Sequence, residues 1–171
     1  MVRGAGRVPE VRACVLTVSD GVFHGEREDG SGDLLAERAT AAGFEVVDRA
    51  VVPDEVGAIM AHVVTWADTP DAPELVLVTG GTGFAPRDVT PEALAPVYDR
   101  RTPGIDEAMR AFSMRAKPHG MLSRGVSGIR GRTLILSFPG SPKACDELFG
   151  VVEPVLDHAL KLLRSDPTEH L

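Results

Sequence analysis

Residues 75–83 read Leu-Val-Leu-Val-Thr-Gly-Gly-Thr-Gly, an apolar run that passes directly into a loop with three glycines. A continuous apolar run of this kind is typical of a strand that is buried on both faces of a sheet. Ala13–Val18 has the same character, and Phe44–Val52 predicts a further strand that ends at Pro53. The sequence therefore predicts a sheet whose central strands are parallel and buried.

Helical segments separate these strands. Ser31–Ala42 carries an apolar stripe and ends at Gly43, and a second stripe begins at Val56. Further helix starts, each marked by a proline beside a capping or turn residue, are Thr90-Pro91, Pro103-Gly104 and Ser141-Pro142. Alternation of strands and helices predicts an α/β fold, a three-layer sandwich of a mostly parallel sheet with helices on both faces.

One antiparallel strand is expected near the end of the sheet. Ser127–Ser137 contains two short apolar runs around Arg130-Gly131, which is typical of a hairpin. The chain of 171 residues fits one domain. We expect a flexible N-terminus at 1–10, the domain at 11–164 and a frayed C-terminal tail at 165–171.

Composition excludes several classes of function. The formal net charge of −7 disfavours a basic nucleic-acid-binding surface. The cysteines, Cys14 and Cys145, cannot form a four-cysteine zinc site or a disulfide framework, and both are interpreted as packing residues. No apolar run is long enough to span a membrane, and the N-terminus lacks the apolar region of a signal peptide. A cytoplasmic protein without a membrane partner is therefore expected.

The glycine-rich loop is the strongest local signal for a ligand. Three glycines in Thr79–Gly83 allow backbone N–H groups to approach a phosphate closely, and Thr79 and Thr82 add hydroxyl groups. The loop has neither the lysine of a Walker motif nor the spacing of a dinucleotide fingerprint. A tight turn without a ligand remains the alternative.

Two aspartates follow strands at the same predicted edge. Asp88 lies between the glycine-rich loop and the Thr90-Pro91 helix start, and Asp54 follows Pro53. Carboxylates beside a phosphate require a cation between them, and Mg²⁺ takes one or two carboxylates together with phosphate oxygens. The alternatives are an Asp88 that binds its own turn and an Asp54 that caps the following helix.

Two other loops fall at the predicted ligand edge, because ligands of such sheets bind beyond the carboxyl ends of the strands. Ser19-Asp20-Gly21 opens a long loop, Ser19–Gly30, and Pro139–Lys143 supplies a helix N-terminus and a lysine that suit an anion. An ordinary capped turn is the alternative for Pro139–Lys143. Arg124 is a candidate cation, whereas Arg115 and Lys117 are expected to be solvated.

In order and spacing, these segments resemble the molybdopterin-binding family of the MogA/MoaB type from about Arg12 to Arg164. The motifs that carry the resemblance are Ser19-Asp20-Gly21, Pro53-Asp54-Glu55, Thr79-Gly80-Gly81-Thr82-Gly83, Arg87-Asp88-Val89-Thr90-Pro91-Glu92-Ala93, Ser123-Arg124 and Pro139-Gly140-Ser141-Pro142-Lys143. Some relatives have an arginine where this chain has Gly21, so the cation of the first loop is either lost or replaced by Arg27.

The resemblance implies a reaction, the adenylylation of molybdopterin. The terminal phosphate of molybdopterin attacks the α-phosphate of Mg-ATP and pyrophosphate leaves. Asp54 and Asp88 then match the catalytic and Mg²⁺-binding aspartates. The residues implied for substrate binding are Ser19, Asp20, Thr79, Gly80, Gly81, Thr82, Gly83, Ser123, Arg124, Pro139, Gly140, Ser141 and Lys143.

The resemblance also implies a homotrimer or homohexamer, with other cofactor-biosynthesis enzymes as further partners. Two alternatives stay open at this point. One is a non-catalytic molybdopterin-binding or scaffold protein of the same fold, and the other is a nucleotide pyrophosphatase-like activity, against which the lack of a partner domain argues.

Overall fold

A computed structural model describes residues 11–165. Its six-stranded sheet has the order β2-β1-β3-β6-β5-β4. The strands are β1 (Arg12–Val18), β2 (Glu45–Val52), β3 (Leu75–Thr79), β4 (Arg100–Arg101), β5 (Gly128–Arg130) and β6 (Thr133–Phe138). The helices are α1 (Asp20–Phe23), α2 (Gly30–Ala41), α3 (Val56–Ala67), α4 (Thr90–Leu94), α5 (Pro103–Ala116) and α6 (Pro142–Arg164), and 3₁₀ turns lie at Ala95–Val97 and Pro118–Leu122.

Successive residues of the central strands face opposite layers of helices. In β3, Leu75 and Leu77 belong to the core under α2 and α6, whereas Val76 and Val78 belong to the core under α3 and α4. Side chains alternate between the two faces of a strand, so a strand that is covered on both faces needs apolar residues throughout. The predicted α/β sandwich is confirmed.

The direction of the strands also agrees with the sequence. β1, β2, β3 and β6 are parallel, and β5 pairs antiparallel with β6 through the turn at Gly131. Because β4 is in turn antiparallel to β5, only β5 opposes the others among the described strands. The predicted hairpin is therefore confirmed, while β4 was missed.

The segment Ser19–Gly30 is only partly the long loop expected from the sequence, because Asp20–Phe23 forms α1 and residues 24–29 remain irregular. Ser19 instead caps α1, where its Oγ accepts a hydrogen bond from the N–H of Val22 at 3.3 Å. The carboxylate of Asp29 caps α2 in the same way, with the N–H of Gly32 at 3.0 Å. Each cap satisfies an N–H group at a helix start that has no partner inside the helix, and this favours helical turns over open loop.

The ends of the chain lie mainly outside the described residues, including the expected flexible segment 1–10 and the tail beyond Ser165. Ser165 itself ends α6 in a left-handed conformation, with its N–H bonded to the carbonyl of Leu162 at 3.0 Å. Both cysteines are free and buried. Within residues 11–165, no helix is both long and apolar enough to cross a membrane.

Candidate functional site

A cavity of about 830 Å³ opens at the carboxyl ends of β1, β3 and β6. The predicted site residues that line it are Ser19, Asp54, Gly80, Gly81, Thr82, Gly83, Asp88, Ser123, Pro139, Gly140, Ser141 and Lys143. Three predicted residues, Asp20, Thr79 and Arg124, do not line it. The first turns of α2 and α6 also border the cavity. Helix N-termini favour anions, so the wall offers N–H groups and positive potential.

At Gly80 and Gly81 the glycine loop packs too closely on its neighbours to carry a side chain. Gly80 has φ +100°, and an added Cβ would lie 2.2 Å from the carbonyl oxygen of Val18. Gly81 has φ +64°, and its added Cβ would lie 2.4 Å from Oγ1 of Thr90. Thr90 donates its hydroxyl to the carbonyl of Gly80 at 2.8 Å. The loop is thus held in one shape against β1 and α4, with its open side on the cavity.

Thr79 stabilises the walls of the cavity from the protein interior. It is fully buried, and its hydroxyl donates to the carbonyl of Pro139 at 2.7 Å. The bond ties the end of β3 to the Pro139–Lys143 loop. Thr79 therefore holds two walls of the cavity together.

Asp54 and Asp20 bind each other's backbone reciprocally. The N–H of Asp20 donates to Oδ2 of Asp54 at 2.8 Å, and the N–H of Asp54 donates to Oδ1 of Asp20 at 3.0 Å. Arg87 donates to both oxygens of Asp20 at 2.9 Å. Asp20 consequently orients Asp54, while its own carboxylate is neutralised by Arg87.

The two carboxyl groups have pKa values shifted in opposite directions. Burial, followed by the charges of Asp20 and Asp88, raises the pKa of Asp54 above its ordinary value. Hydrogen bonds from Arg87 and from the backbone of Asp54 lower the pKa of Asp20. The ionised carboxylate of Asp54 is destabilised chiefly by burial and further by two neighbouring carboxylates, and the charge of Arg87 offsets this only in part. This is the condition under which a cation binds well.

We expect Asp54→Asn to raise the thermal midpoint at pH 7. Since folding raises the pKa of Asp54, the native state binds its proton more tightly than the unfolded chain, and the ionised group costs stability above its native pKa. The increase in the thermal midpoint should fade as the pH falls below about 3.9, the pKa of an aspartate in the unfolded chain, because the carboxyl group is then protonated in both states. Thermal unfolding across pH checks this, and Asp20→Asn should show the opposite sign because its lowered pKa stabilises the fold at neutral pH. A lower midpoint for Asp54→Asn at pH 7 would contradict the prediction.

Asp88 both closes its own turn and faces the cavity. Its Oδ2 accepts from the N–H of Ala85 at 2.9 Å, which is the turn-binding alternative considered from the sequence. An added Cβ on Gly83 would lie 2.7 Å from the same oxygen. The carboxylate is therefore fixed beside the glycine loop, with Oδ1 free of hydrogen bonds among the described residues.

The residues present fit a magnesium ion shared with a phosphate ligand. Within the described part of the chain, no group of three or more His, Cys, Asp or Glu forms a protein-only metal cage. Asp54 and Asp88 each use one oxygen for a backbone N–H and keep the other free. Mg²⁺ usually binds through one or two carboxylates together with substrate phosphates and water, and this donor set meets that requirement.

Arg124 braces the loop that carries Asp88. Its Nε donates to the carbonyl of Gly83 at 2.7 Å, and its Nη2 donates to the carbonyl of Asp88 at 2.6 Å. Its Nη1 pairs with Glu92, and its backbone N–H donates to the carbonyl of Thr82 at 2.8 Å. With these contacts the guanidinium lies behind the loop, outside the cavity lining.

We expect Arg124→Lys to lower the kcat of the adenylyl transfer that the resemblance implies about 10-fold, a typical cost for removing a group that orients a metal-binding side chain. Lysine retains the charge but lacks the planar fork that reaches both carbonyls. Steady-state kinetics checks the result. Glu92→Gln is the matched control and should change kcat little, since its ion pair is exposed. An unchanged kcat in Arg124→Lys would show that the brace is unimportant.

Arg27 occupies the space beside Gly21. An added Cβ on Gly21 would lie 3.4 Å from Nε of Arg27, and Nη2 of Arg27 donates to Oγ of Ser19 at 2.7 Å. Arg27 also lines the cavity, at the place expected for a replacement cation.

Sequence reasoning missed several residues of the opposite wall. Lys117, interpreted from the sequence as a solvated residue, is exposed and also lines the cavity, together with Ser113, His119 and Leu122. These residues belong to the end of α5 and the following 3₁₀ turn. No local motif marks them, because they approach the glycine loop only through the packing of α5.

The fold and the cavity together define a class, an α/β protein with a ligand cavity at the carboxyl edge of a mostly parallel sheet. Residues 14–158 match the family described as "Probable molybdopterin binding domain", and the chain belongs to this family. The resemblance found in the sequence is therefore confirmed.

Particular relatives give the same result. The chain is 35% identical to molybdopterin adenylyltransferase of Helicobacter pylori, over 87% of this chain and 85% of that protein. It is 44% identical to gephyrin of Dictyostelium discoideum over 92% of this chain, but spans only 23% of that longer protein. The crystal structure of the molybdopterin biosynthesis enzyme MoaB from Thermus thermophilus superposes with a TM-score of 0.85 at 46% identity, covering 93% of this chain and 99% of the other.

Proposed function

We propose that this protein acts in molybdenum cofactor biosynthesis and transfers AMP from Mg-ATP to the terminal phosphate of molybdopterin. The observation that carries the proposal is the convergence of Asp54, Asp88 and the glycine loop on one cavity. The family membership and the named activity of the Helicobacter relative support it. The volume of about 830 Å³ lies in the range of ligand cavities in general.

The reaction needs positioning and charge neutralisation rather than a nucleophilic side chain. An oxygen of the terminal phosphate bonds to the α-phosphorus of ATP, and the bond from that phosphorus to the bridging oxygen of the β-phosphate breaks. Pyrophosphate leaves with the bonding electron pair. The attacking phosphate is largely ionised at neutral pH, so no side chain has to remove a proton.

Specific groups of the chain then have separate tasks. Asp54 and Asp88 would hold Mg²⁺, which neutralises phosphate charge when bound. Gly81, Thr82 and Gly83 of the glycine loop and the first turn of α6 offer N–H groups to phosphate oxygens, whereas the N–H of Gly80 donates to the carbonyl of Phe138 at 3.1 Å and holds the loop in place. Ser19, Arg27 and Lys143 add hydrogen-bond donors at the rim. Their combined effect is to hold the attacking oxygen near the α-phosphate, and proximity of this kind supplies much of the rate.

The test is incubation of the purified protein with molybdopterin, ATP and Mg²⁺, followed by chromatographic detection of adenylylated pterin and pyrophosphate. Both products should appear together and disappear when Mg²⁺ is chelated. Calorimetry with each substrate separates the alternative function. Folded protein that binds molybdopterin but forms no product would instead be a molybdopterin-binding or scaffold protein.

We also infer that the protein works in the cytoplasm as a homo-oligomer, a trimer or a hexamer, alongside other enzymes of the same biosynthesis. This inference rests on the family alone. Light scattering coupled to size-exclusion chromatography measures the mass of the assembly, and the mass of a monomer would contradict the inference.

A further inference from the structure

A second, much smaller cavity lies behind the wall of the main one. Its volume is about 10 Å³, and it is lined by residues of α5, α6 and β6 together with Ser123, Gly125 and Pro139. Ser113, Ser123 and Pro139 line both cavities. The residues around the small cavity therefore also support the wall of the main cavity that faces the ligand.

Two buried polar atoms without partners belong to residues that line this small cavity. Asp106 is 2% exposed, and its Oδ2 accepts from the N–H of Ser127 at 2.9 Å. Its Oδ1 has no hydrogen-bond partner among the described residues, and the same is true of Oγ of Ser137, which is also 2% exposed. A buried polar group without a hydrogen-bond partner destabilises the fold, so two of them lining one cavity indicate a shared partner.

Gly125 borders the same space. An added Cβ on Gly125 would lie 3.5 Å from Oγ of Ser123 and 3.5 Å from Oγ of Ser137. Both hydroxyl groups thus face the open side of Gly125, and this residue does not have a positive φ. The space contains enough polar groups for a small hydrogen-bonding ligand, and a methyl group at position 125 would occupy part of it.

We propose that this cavity binds a single water molecule, which bridges Oδ1 of Asp106 and Oγ of Ser137 and has Oγ of Ser123 as its third partner. A volume of about 10 Å³ is close to the minimum for one water. Asp106 and Arg110 both line the cavity, so their opposite charges offset each other and favour a neutral ligand. The water joins α5 to β6 behind Ser123.

The substitution Gly125→Ala distinguishes a hydrated site from a dry void by the sign of its effect. In a dry void, the methyl group fills space and restricts the unfolded chain, and both effects raise the thermal midpoint. In a hydrated site, it displaces the water and leaves two polar atoms unpaired. We expect the midpoint to fall by about 5 °C.

Gly57→Ala is the matched control, because Gly57 lies in the first turn of α3 with nothing within 4 Å of an added Cβ. It should leave the midpoint unchanged or raise it. In a Ser137→Ala background, Gly125→Ala should lower the thermal midpoint less than it does in the wild type, since the Ser137 hydroxyl can no longer be left unpaired. Equal costs in the two backgrounds would overturn the proposal, as would a midpoint raised by Gly125→Ala.

A crystal structure of the unmodified protein provides a measurement that does not depend on any variant folding. It should show one ordered water within hydrogen-bonding distance of Oδ1 of Asp106 and Oγ of Ser137. A direct hydrogen bond between the two side chains, or an empty cavity at high resolution, would also overturn the proposal. Neither experiment involves molybdopterin or ATP, so the result is independent of the proposed function.

Discussion

Asp88→Asn should lower the rate of adenylyl transfer on the order of 100-fold or more, the usual cost of removing a group that stabilises transition-state charge. Asparagine can still accept the hydrogen bond from the N–H of Ala85, so the turn keeps its shape. What is lost is the negative charge that would hold Mg²⁺ against the phosphates. Molybdopterin binding, measured by calorimetry without Mg²⁺, should be retained.

The control for this variant is Asp157→Asn. Asp157 is an exposed aspartate on α6 that pairs with Lys161 one turn away, and its loss should leave the rate unchanged. If Asp88→Asn turns over at the wild-type rate while remaining folded, the role assigned to Asp88 is wrong. If Asp88→Asn loses as much affinity for the pterin as it loses rate, Asp88 acts in ligand binding rather than in the chemical step.

Gly80→Ala should destabilise the protein by about 3 kcal/mol. Two costs combine, the positive φ of +100° and the overlap of the new Cβ with the carbonyl oxygen of Val18 at 2.2 Å. The carbonyl belongs to the last residue of β1, an interior strand that pairs with both β2 and β3, so it cannot move aside without disturbing strand pairing. Urea unfolding measures the loss, and ligand affinity should fall with it because the loop must shift.

Gly25→Ala separates the two costs. Gly25 has φ +74° but nothing within 4 Å of an added Cβ, so only the backbone conformation is penalised. Its substitution should cost about 1 kcal/mol. Equal losses at Gly25 and Gly80 would mean that the close approach to β1 is unimportant for the glycine loop.

Much of the fold follows from local patterns. The buried strands are visible because both faces are covered, which requires apolar residues at every position of β3. Strand β4 gives no such signal, since its two arginines are both exposed and only pairing with β5 defines it. The capped start of α2 at Asp29 was missed because the preceding polar residues resemble an open loop.

In the candidate site too, some residues can be recognised from local sequence and others only from contacts between distant segments. The glycine loop, Asp54 and Asp88 stand out because each directly follows a strand or precedes a helix at one edge of the sheet. The contacts of Arg124 with Gly83 and Asp88 span 41 and 36 residues along the chain, and those of Arg87 with Asp20 span 67. Pairings over such distances leave no pattern in a single sequence.

Local sequence patterns are enough to specify the layered α/β architecture, the position of the glycine loop and the two aspartates at its edge, because hydrophobic periodicity and turn chemistry act between near neighbours. The tertiary structure alone decided that Arg124 braces the loop instead of lining the cavity, that Asp20 orients Asp54, and that Lys117 reaches the ligand side. Side-chain partners depend on how distant segments pack, and packing is a property of the folded chain as a whole.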